Sequence, residues 1–251
     1  MKILALDTSQ LQAAVALLDG DAPALRVAAS AVGSTSVSHS ESILPLIDQV
    51  LGCTLAGKKV AELDAFAVGV GPGSFTGVRI GCATIKALAQ ATSKPVIPFS
   101  SLKALVFSAA ERIDVGLAAL VNAYQGLVFT GAIEAPFKGA AEWREQAIAA
   151  ADFSRARFSA NGAPREATLC GSGAHLYWSK IEEIARETGV RASLSDVQWA
   201  TPEGVARAVA EELGRGKPAL KRYSEITANY LRASQAEIKL NGEDGHGKSD
   251  A

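Results

Sequence analysis

Short apolar runs closed by turn residues dominate the first hundred positions. "KILAL" (Lys2 to Leu6) ends at "DTS" and predicts a buried strand. "AAVALL" (Ala13 to Leu18) and "ALRVAAS" (Ala24 to Ser30) flank "DGDAP", so the chain should open as a three-stranded meander. The period then changes. In "SHSESILPLIDQVLG", Ile43, Leu44, Ile47, Val50 and Leu51 fall on one helical stripe, and Ser38 with Glu41 matches a capping box. Pro45 leaves the start of that helix open by a turn, because Ser42 can serve as the cap instead. "LDAFAVGV" predicts the next strand, the glycine-rich "GPGSFTGVRIG" opens a helix, "KPVIPF" is a strand, and "SLKALVFSAA" is a helix capped by Ser100 or Ser101. The order is β-β-β-α-β-α-β-α.

A weaker echo follows. "GLAALVNA" (Gly116 to Ala123) and "LVFTGAIE" (Leu127 to Glu134) predict strands, "WREQAIAA" a helix, "EATLCG" a strand and "AHLYWSKIEEIARETG" one long helix. Thr201 caps a last helix with Pro202 at its first position. A meander followed by alternating helices and strands, then partly repeated, predicts an α/β protein of two related lobes with mixed sheets. The lobes are expected at residues 1–110 and 111–232, with a polar, disordered tail over 233–251 containing "NGEDGHGKSD".

Charge narrows the function. The 251 residues carry a formal net charge of −1, so no global positive field draws the chain to nucleic acid. Arg155 and Arg157 are only a modest local cluster. No apolar run approaches a membrane span, and the five apolar residues before Asp7 are too few for a secretory signal. The three cysteines, Cys53, Cys82 and Cys170, are far apart and read as buried free thiols of a cytoplasmic protein.

Two motifs invite chemistry. "GVGPGSFTGVRIG" sits between a strand and a helix, where backbone N–H groups can hold an anion. It matches neither the Walker A spacing nor G-x-G-x-x-G. Gly77 and Gly81, four residues apart on one helix, offer the competing explanation of close packing, which the spacing favours. "LALDTS" places Asp7 beyond a strand with Thr8 and Ser9 beside it. In actin-like kinases and ATPases an Asp there binds a metal–phosphate group; the string by itself favours an Asx/ST turn closing the strand. A weak nucleotide or anion site would comprise Asp7, Thr8, Ser9, Gly71, Gly73 and Ser74. His39, His175 and His246 lack metal-ligand spacing, G-x-S-x-G is absent, and no metal site or protease constellation is expected. The two helices "SESILPLIDQVL" and "VRIGCATIKALAQ" are poor in charge, which suits an interface.

"ILALDTS", "HSESILPLID", "AFAVGVGPGSFTGVRIG", "KALA" and "SSLKAL" together resemble the TsaB family, and "NYLR" (Asn229 to Arg232) is similar to the ending of those proteins. The resemblance is dense over residues 2–105 and sparse afterwards. It implies an actin-like ATPase fold (acetate kinase/sugar kinase/Hsp70/actin) of two RNase H-like lobes. It also implies a non-catalytic partner of TsaD, which transfers threonylcarbamoyl to adenosine 37 of tRNA, with TsaE reached through the complex and tRNA only through TsaD. No cofactor of its own is implied; ATP or ADP at the TsaD interface is left open. The family pattern puts the TsaD contact on His39, Ile43, Leu44, Ile47, Gly77, Arg79, Ile80, Gly81 and Thr84, with Gly81→Leu and Ile47→Asp expected to block binding and spare the fold. Without TsaD, the same face can form a homodimer. Ser101 and Leu105 stand where the catalytic relative has metal-binding histidines. Asn122 and Tyr124 stand where the family often has Asp and Arg. The alternative is an actin-fold ATPase or small-molecule kinase acting through Asp7, Thr8 and Ser9.

Overall fold

The computed structural model describes residues 1–55, 60–109, 116–133, 143–158, 165–215 and 219–231. Its first sheet contains β1 (Lys2–Asp7), β2 (Ala14–Asp19), β3 (Arg26–Val32), β4 (Ala65–Gly69) and β5 (Val96–Phe99), in the order β3-β2-β1-β4-β5. The meander β1-β2-β3 is antiparallel, and β4 and β5 join parallel to β1. Strand β1 is central and covered on both faces, so its apolar run shows no alternation. Leu4 and Leu6 face α1 (His39–Leu55) and α2 (Phe75–Thr92) on the outer side, while Ile3 and Ala5 face inward.

The second sheet repeats the plan. It contains β6 (Gly116–Asn122), β7 (Leu127–Ile133), β8 (Glu145–Ala149), β9 (Glu166–Cys170) and β10 (Arg191–Leu194), in the order β10-β9-β6-β7-β8. Here too a central strand leads an antiparallel meander on one side and takes parallel strands on the other. The inward faces of both sheets meet α3 (Ser101–Ala109) and α7 (Pro202–Gly214) in one shared core, with Leu102, Leu105, Val205 and Val209 between Ile3 and Leu117. Ser101 through Phe107 are all buried, so α3 is mostly apolar, and its Lys103 is paired with Glu211 at 2.6 Å. On the outer side, α4 (Ala150–Phe158), α5 (Ser172–Leu176) and α6 (Trp178–Thr188) complete the second lobe. Two such sheets flanked by helices make the actin-like ATPase fold, an α/β architecture of paired RNase H-like lobes.

Most of the expected order holds, with local corrections. "WREQAIAA" is not a helix: Glu145–Ala149 is strand β8, antiparallel to β7. Trp143 and Ala147 pack toward the inter-sheet core and Ile148 packs toward the outer one, a period of two that overrides the helix propensity of Glu, Gln and Ala. The helix expected over 174–189 breaks at Tyr177 into α5 and α6, and the short strand β10 had no expectation attached. Ser38 precedes α1 as anticipated, yet its hydroxyl pairs with Ser40 Oγ at 3.1 Å rather than closing a capping box. Thr201 does cap α7, accepting from Gly204 N at 3.1 Å, with Pro202 following. The expected tail over 233–251 lies outside the described residues.

Residues 219–231 return across both lobes. Val96 and Lys221 exchange backbone hydrogen bonds at 2.8 and 2.9 Å, and Asn229 N donates to Val70 O at 2.7 Å. The strap is then fastened to the second lobe through Glu145, which accepts from Asn229 Nδ2 at 2.7 Å, Trp143 Nε1 at 2.9 Å and the Ser100 hydroxyl. Glu145→Ala removes one acceptor from three donors at once. It is expected to cost about 1–3 kcal/mol in urea unfolding, because half-buried donors lose their partner. An unchanged midpoint would mean that Glu145 does not hold the strap.

Candidate functional site

The glycine-rich turn lies against the end of β1. A Cβ at Gly73 would overlap Ser9 O, one at Gly77 would overlap Thr8 O, and one at Gly81 would overlap the Thr8 hydroxyl. Only glycine lets α2 approach β1 this closely. The close-packing reading is therefore right, but the second surface is the chain's own Thr8–Ser9 segment rather than another helix. Thr8 Oγ1 donates to Gly77 O at 2.7 Å, and Ser74 N donates to Ser9 O at 2.7 Å. Gly71 N donates to Ser101 Oγ at 3.2 Å, and Gly77 N to the capping Ser74 Oγ at 3.2 Å. The turn's N–H groups at Gly71, Ser74 and Gly77 are thus consumed inside the fold.

Asp7 is 3% exposed, and its Oδ1 accepts from Ser9 N at 2.8 Å, an Asx turn of the kind its sequence allowed. Burial pushes its carboxyl above the ordinary 3.8; the Ser9 hydroxyl and N–H, the Ser101 hydroxyl and His39 draw it back. A raised pKa in the folded state means that the stability linked to this group is present below 3.8 and lost as pH rises through the raised value. Asp7→Asn keeps the acceptor for Ser9 N and removes the buried charge. It is expected to raise stability at pH 7 by on the order of 1 kcal/mol and to flatten the pH dependence of unfolding in the acid range. A destabilised Asn variant would show that the carboxylate is needed where it sits.

Between the lobes, β1, the glycine-rich turn and the β6–β7 hairpin enclose a cleft of about 460 Å³. Ser9, Gln10, Gly73 and Ser74 form one wall and Asn122, Tyr124 and Ser172 the other, with Trp199, Asn229 and Tyr230 completing it. None of the described lining residues is a cation or an anion, the N–H groups of Gly71, Ser74 and Gly77 are engaged within the fold, and Asp7 lies beneath the surface with its pKa raised by burial. The expected site residues Asp7, Thr8, Ser9, Gly71, Gly73 and Ser74 are brought together by these bonds, and Ser9, Gly73 and Ser74 also line the cleft. Asn122 Oδ1 accepts from Tyr124 N at 3.0 Å. Ser101 is wired to Gly71 and Leu105 is a core residue, so neither is placed as a ligand. Among the described residues, no three His, Cys, Asp or Glu side chains are grouped to hold a metal ion.

The expected interface residues separate sharply by exposure. Ile43 and Ile47 are 2% and 3% exposed and belong to the first lobe's outer core, and Gly77 and Gly81 are buried. Gly81→Leu and Ile47→Asp are therefore expected to damage the fold itself rather than spare it. His39 is half-buried, its Nε2–H donating to Gln10 O at 2.7 Å. Leu44, 58% exposed, and Arg79 stand outward, with Ile80 and Thr84 half-buried between them. Cys82 and Cys170 are buried free thiols, pushed up by burial to about 11 and about 12. The side chain of Cys53 lies outside those described. Among the described residues, no helix is long and apolar enough to cross a membrane.

The chain is thus a two-lobed actin-like protein whose glycine-rich turn packs on the end of β1. The family model of tRNA N6-adenosine threonylcarbamoyltransferase, TsaD, matches residues 33–238. The TsaB protein of Haemophilus influenzae is 36% identical over 152 residues, 58% of this chain and 61% of that protein, so the match spans about three fifths of that relative. The Escherichia coli TsaB protein is 27% identical over 97% of this chain and 100% of its own length. A solved Pseudomonas aeruginosa protein, described as uncharacterized with similarity to peptidase YeaZ, superposes with a TM-score of 0.72 at 25% identity, covering 92% of this chain and 99% of that one. The chain belongs to the TsaB family, within the wider threonylcarbamoyltransferase family.

Proposed function

We propose that this chain is a cytoplasmic, non-catalytic partner of TsaD in the synthesis of threonylcarbamoyladenosine at adenosine 37 of tRNA. The observation that carries the reading is the pairing of family membership with a glycine-rich turn packed on the chain's own first strand, where Thr8 and Ser9 occupy the Cβ positions of Gly73, Gly77 and Gly81. Such a chain contributes a surface rather than chemistry. That surface is the outward side of α1 and α2. Leu44, Arg79, Ile80 and Thr84 form it, and α2 carries only Arg79 and Lys86 as charged residues. TsaE is engaged through the resulting complex, tRNA is reached through TsaD, and in their absence the same face pairs two copies of this chain. The ATPase or kinase alternative needs Asp7, Thr8 and Ser9 open to a metal phosphate, and their burial works against it. The test is a reconstituted modification reaction with TsaD and TsaE from the same organism. Threonylcarbamoyladenosine should form only when this chain is added, and equally with Asp7→Asn. Undiminished product without the chain, or complete loss with a folded Asp7→Asn, would overturn the proposal.

A further inference from the structure

Helices α1 and α2 are sorted by charge. Apart from His39, the charged side chains of α1 are Glu41 and Asp48, both acidic, and those of α2 are Arg79 and Lys86, both basic. The members of each pair are seven residues apart, about two helical turns or about 10 Å, so each pair lies on one side of its helix. That side is the outward one. Glu41 and Asp48 are exposed and bracket the exposed Leu44, whereas Ile43 and Ile47 are buried in the lobe. Arg79 is exposed, Lys86 is half-buried, and they bracket the exposed Ala83, whereas Cys82 and Ile85 are buried. No ion pair among the described residues includes any of the four. A solvated face ordinarily mixes its signs; one helix wholly acidic beside another wholly basic, at the same spacing, calls for a different reason.

Symmetry supplies the reason. Strands β1, β3 and β4 run in one direction, because β2 is antiparallel to both β1 and β3 and β4 is parallel to β1. Helix α1 leaves β3 and α2 leaves β4, so the two helices run side by side in the same direction over the outer face of the sheet. A two-fold axis along that direction sets α1 of one copy over α2 of the other, and does so twice. Acid then meets base in both halves of the contact, at matched spacing. The other in-plane axis, across the helices, sets α1 on α1 and like charge on like, which is unfavourable.

We propose that these two charged seams set the register and partner choice of the α1–α2 face, with a second copy of this chain laying its α2 bases Arg79 and Lys86 on the first copy's α1 acids Glu41 and Asp48. The inference rests on the reading of this face as a partner surface and names the residues that select what binds there. The test is a charge swap followed by light scattering on the full chain across the micromolar range. The parent should dimerise, and more weakly as sodium chloride is raised. Arg79→Glu with Lys86→Glu makes all four seam charges acidic; Glu41→Lys with Asp48→Lys makes all four basic. Each double variant alone should lose dimer affinity by about tenfold or more, because like charges then face each other. An equimolar mixture of the two should recover a dimer of parental affinity, since acid again meets base at both contacts. The changed positions are exposed or half-buried, so thermal midpoints should stay near the parent's, which separates lost pairing from lost fold. A parent that stays monomeric, double variants that dimerise like the parent, or a mixture no tighter than its components would each overturn the proposal. TsaD binding reads out separately: a failed swap beside intact TsaD binding sinks the charged seams alone, and a successful swap without TsaD binding sinks the TsaD partnership alone.

Discussion

Gly77→Leu should unfold the first lobe. The new Cβ would overlap the Thr8 carbonyl, and that carbonyl belongs to the segment leaving β1, the central strand of its sheet. Neither side can yield cheaply: α2 is bound to the sheet through Val78, Cys82 and Ile85, and Thr8 is 0% exposed. Overpacking against backbone costs about 3 kcal/mol or more, a large share of the roughly 5–15 kcal/mol that holds a domain together. Gly52 is the internal control. It lies within α1, exposed, and a Cβ there meets nothing within 4 Å. Gly52→Ala should therefore stabilise the protein by about 0.5–1 kcal/mol through helix propensity alone. Thermal unfolding of the two variants distinguishes these fates. A folded Gly77→Leu with a near-parental midpoint would contradict the packing described for the turn.

Leu44→Asp should abolish TsaD binding and leave the monomer intact. Leu44 is 58% exposed on α1, so a charge there remains solvated in the free chain and shifts stability by no more than about 0.5 kcal/mol. In a complex, the same charge would be desolvated at the middle of an apolar contact, a loss of about 2–4 kcal/mol. The affinity should fall by about thirtyfold to a thousandfold, since every 1.4 kcal/mol is about tenfold. Ile47→Asp gives the contrast. One turn along the same helix, Ile47 is 3% exposed, and a carboxylate there would be buried without a partner. That variant should unfold rather than merely fail to bind, so only Leu44→Asp reports on partnership. Retained TsaD affinity in Leu44→Asp would remove α1 from the interface.

The first lobe was legible in the sequence because its strands are continuous apolar runs and its helices carry clear stripes. Lys2–Asp7 and Ala65–Gly69 are buried along nearly their whole length, which leaves no competing period. The second lobe is subtler. Strand β8 is at the sheet edge and only half-buried, so its alternation through Trp143, Ala147 and Ile148 is masked by helix-forming Glu, Gln and Ala. The break at Tyr177 leaves no Gly or Pro at the junction to mark it. For the site, spacing correctly gave Gly77 and Gly81 a packing role but carries no information on which surface they meet. That partner is set by the tertiary approach of α2 to Thr8. Helical periodicity likewise grouped Ile43, Leu44 and Ile47 on one stripe. A stripe marks the side that faces a core; it took the structure to show that Ile43 and Ile47 fill the core while Leu44 lies at the edge facing solvent.

The central claim is that this chain works as a surface for TsaD. The most direct measurement is size-exclusion chromatography with light scattering, on this chain alone and mixed with TsaD from the same organism at micromolar concentration. The account predicts a complex with one copy of each, dissolving any homodimer, and its loss with folded Leu44→Asp. Separate elution of the two wild-type proteins, with and without nucleotide and TsaE, would contradict it.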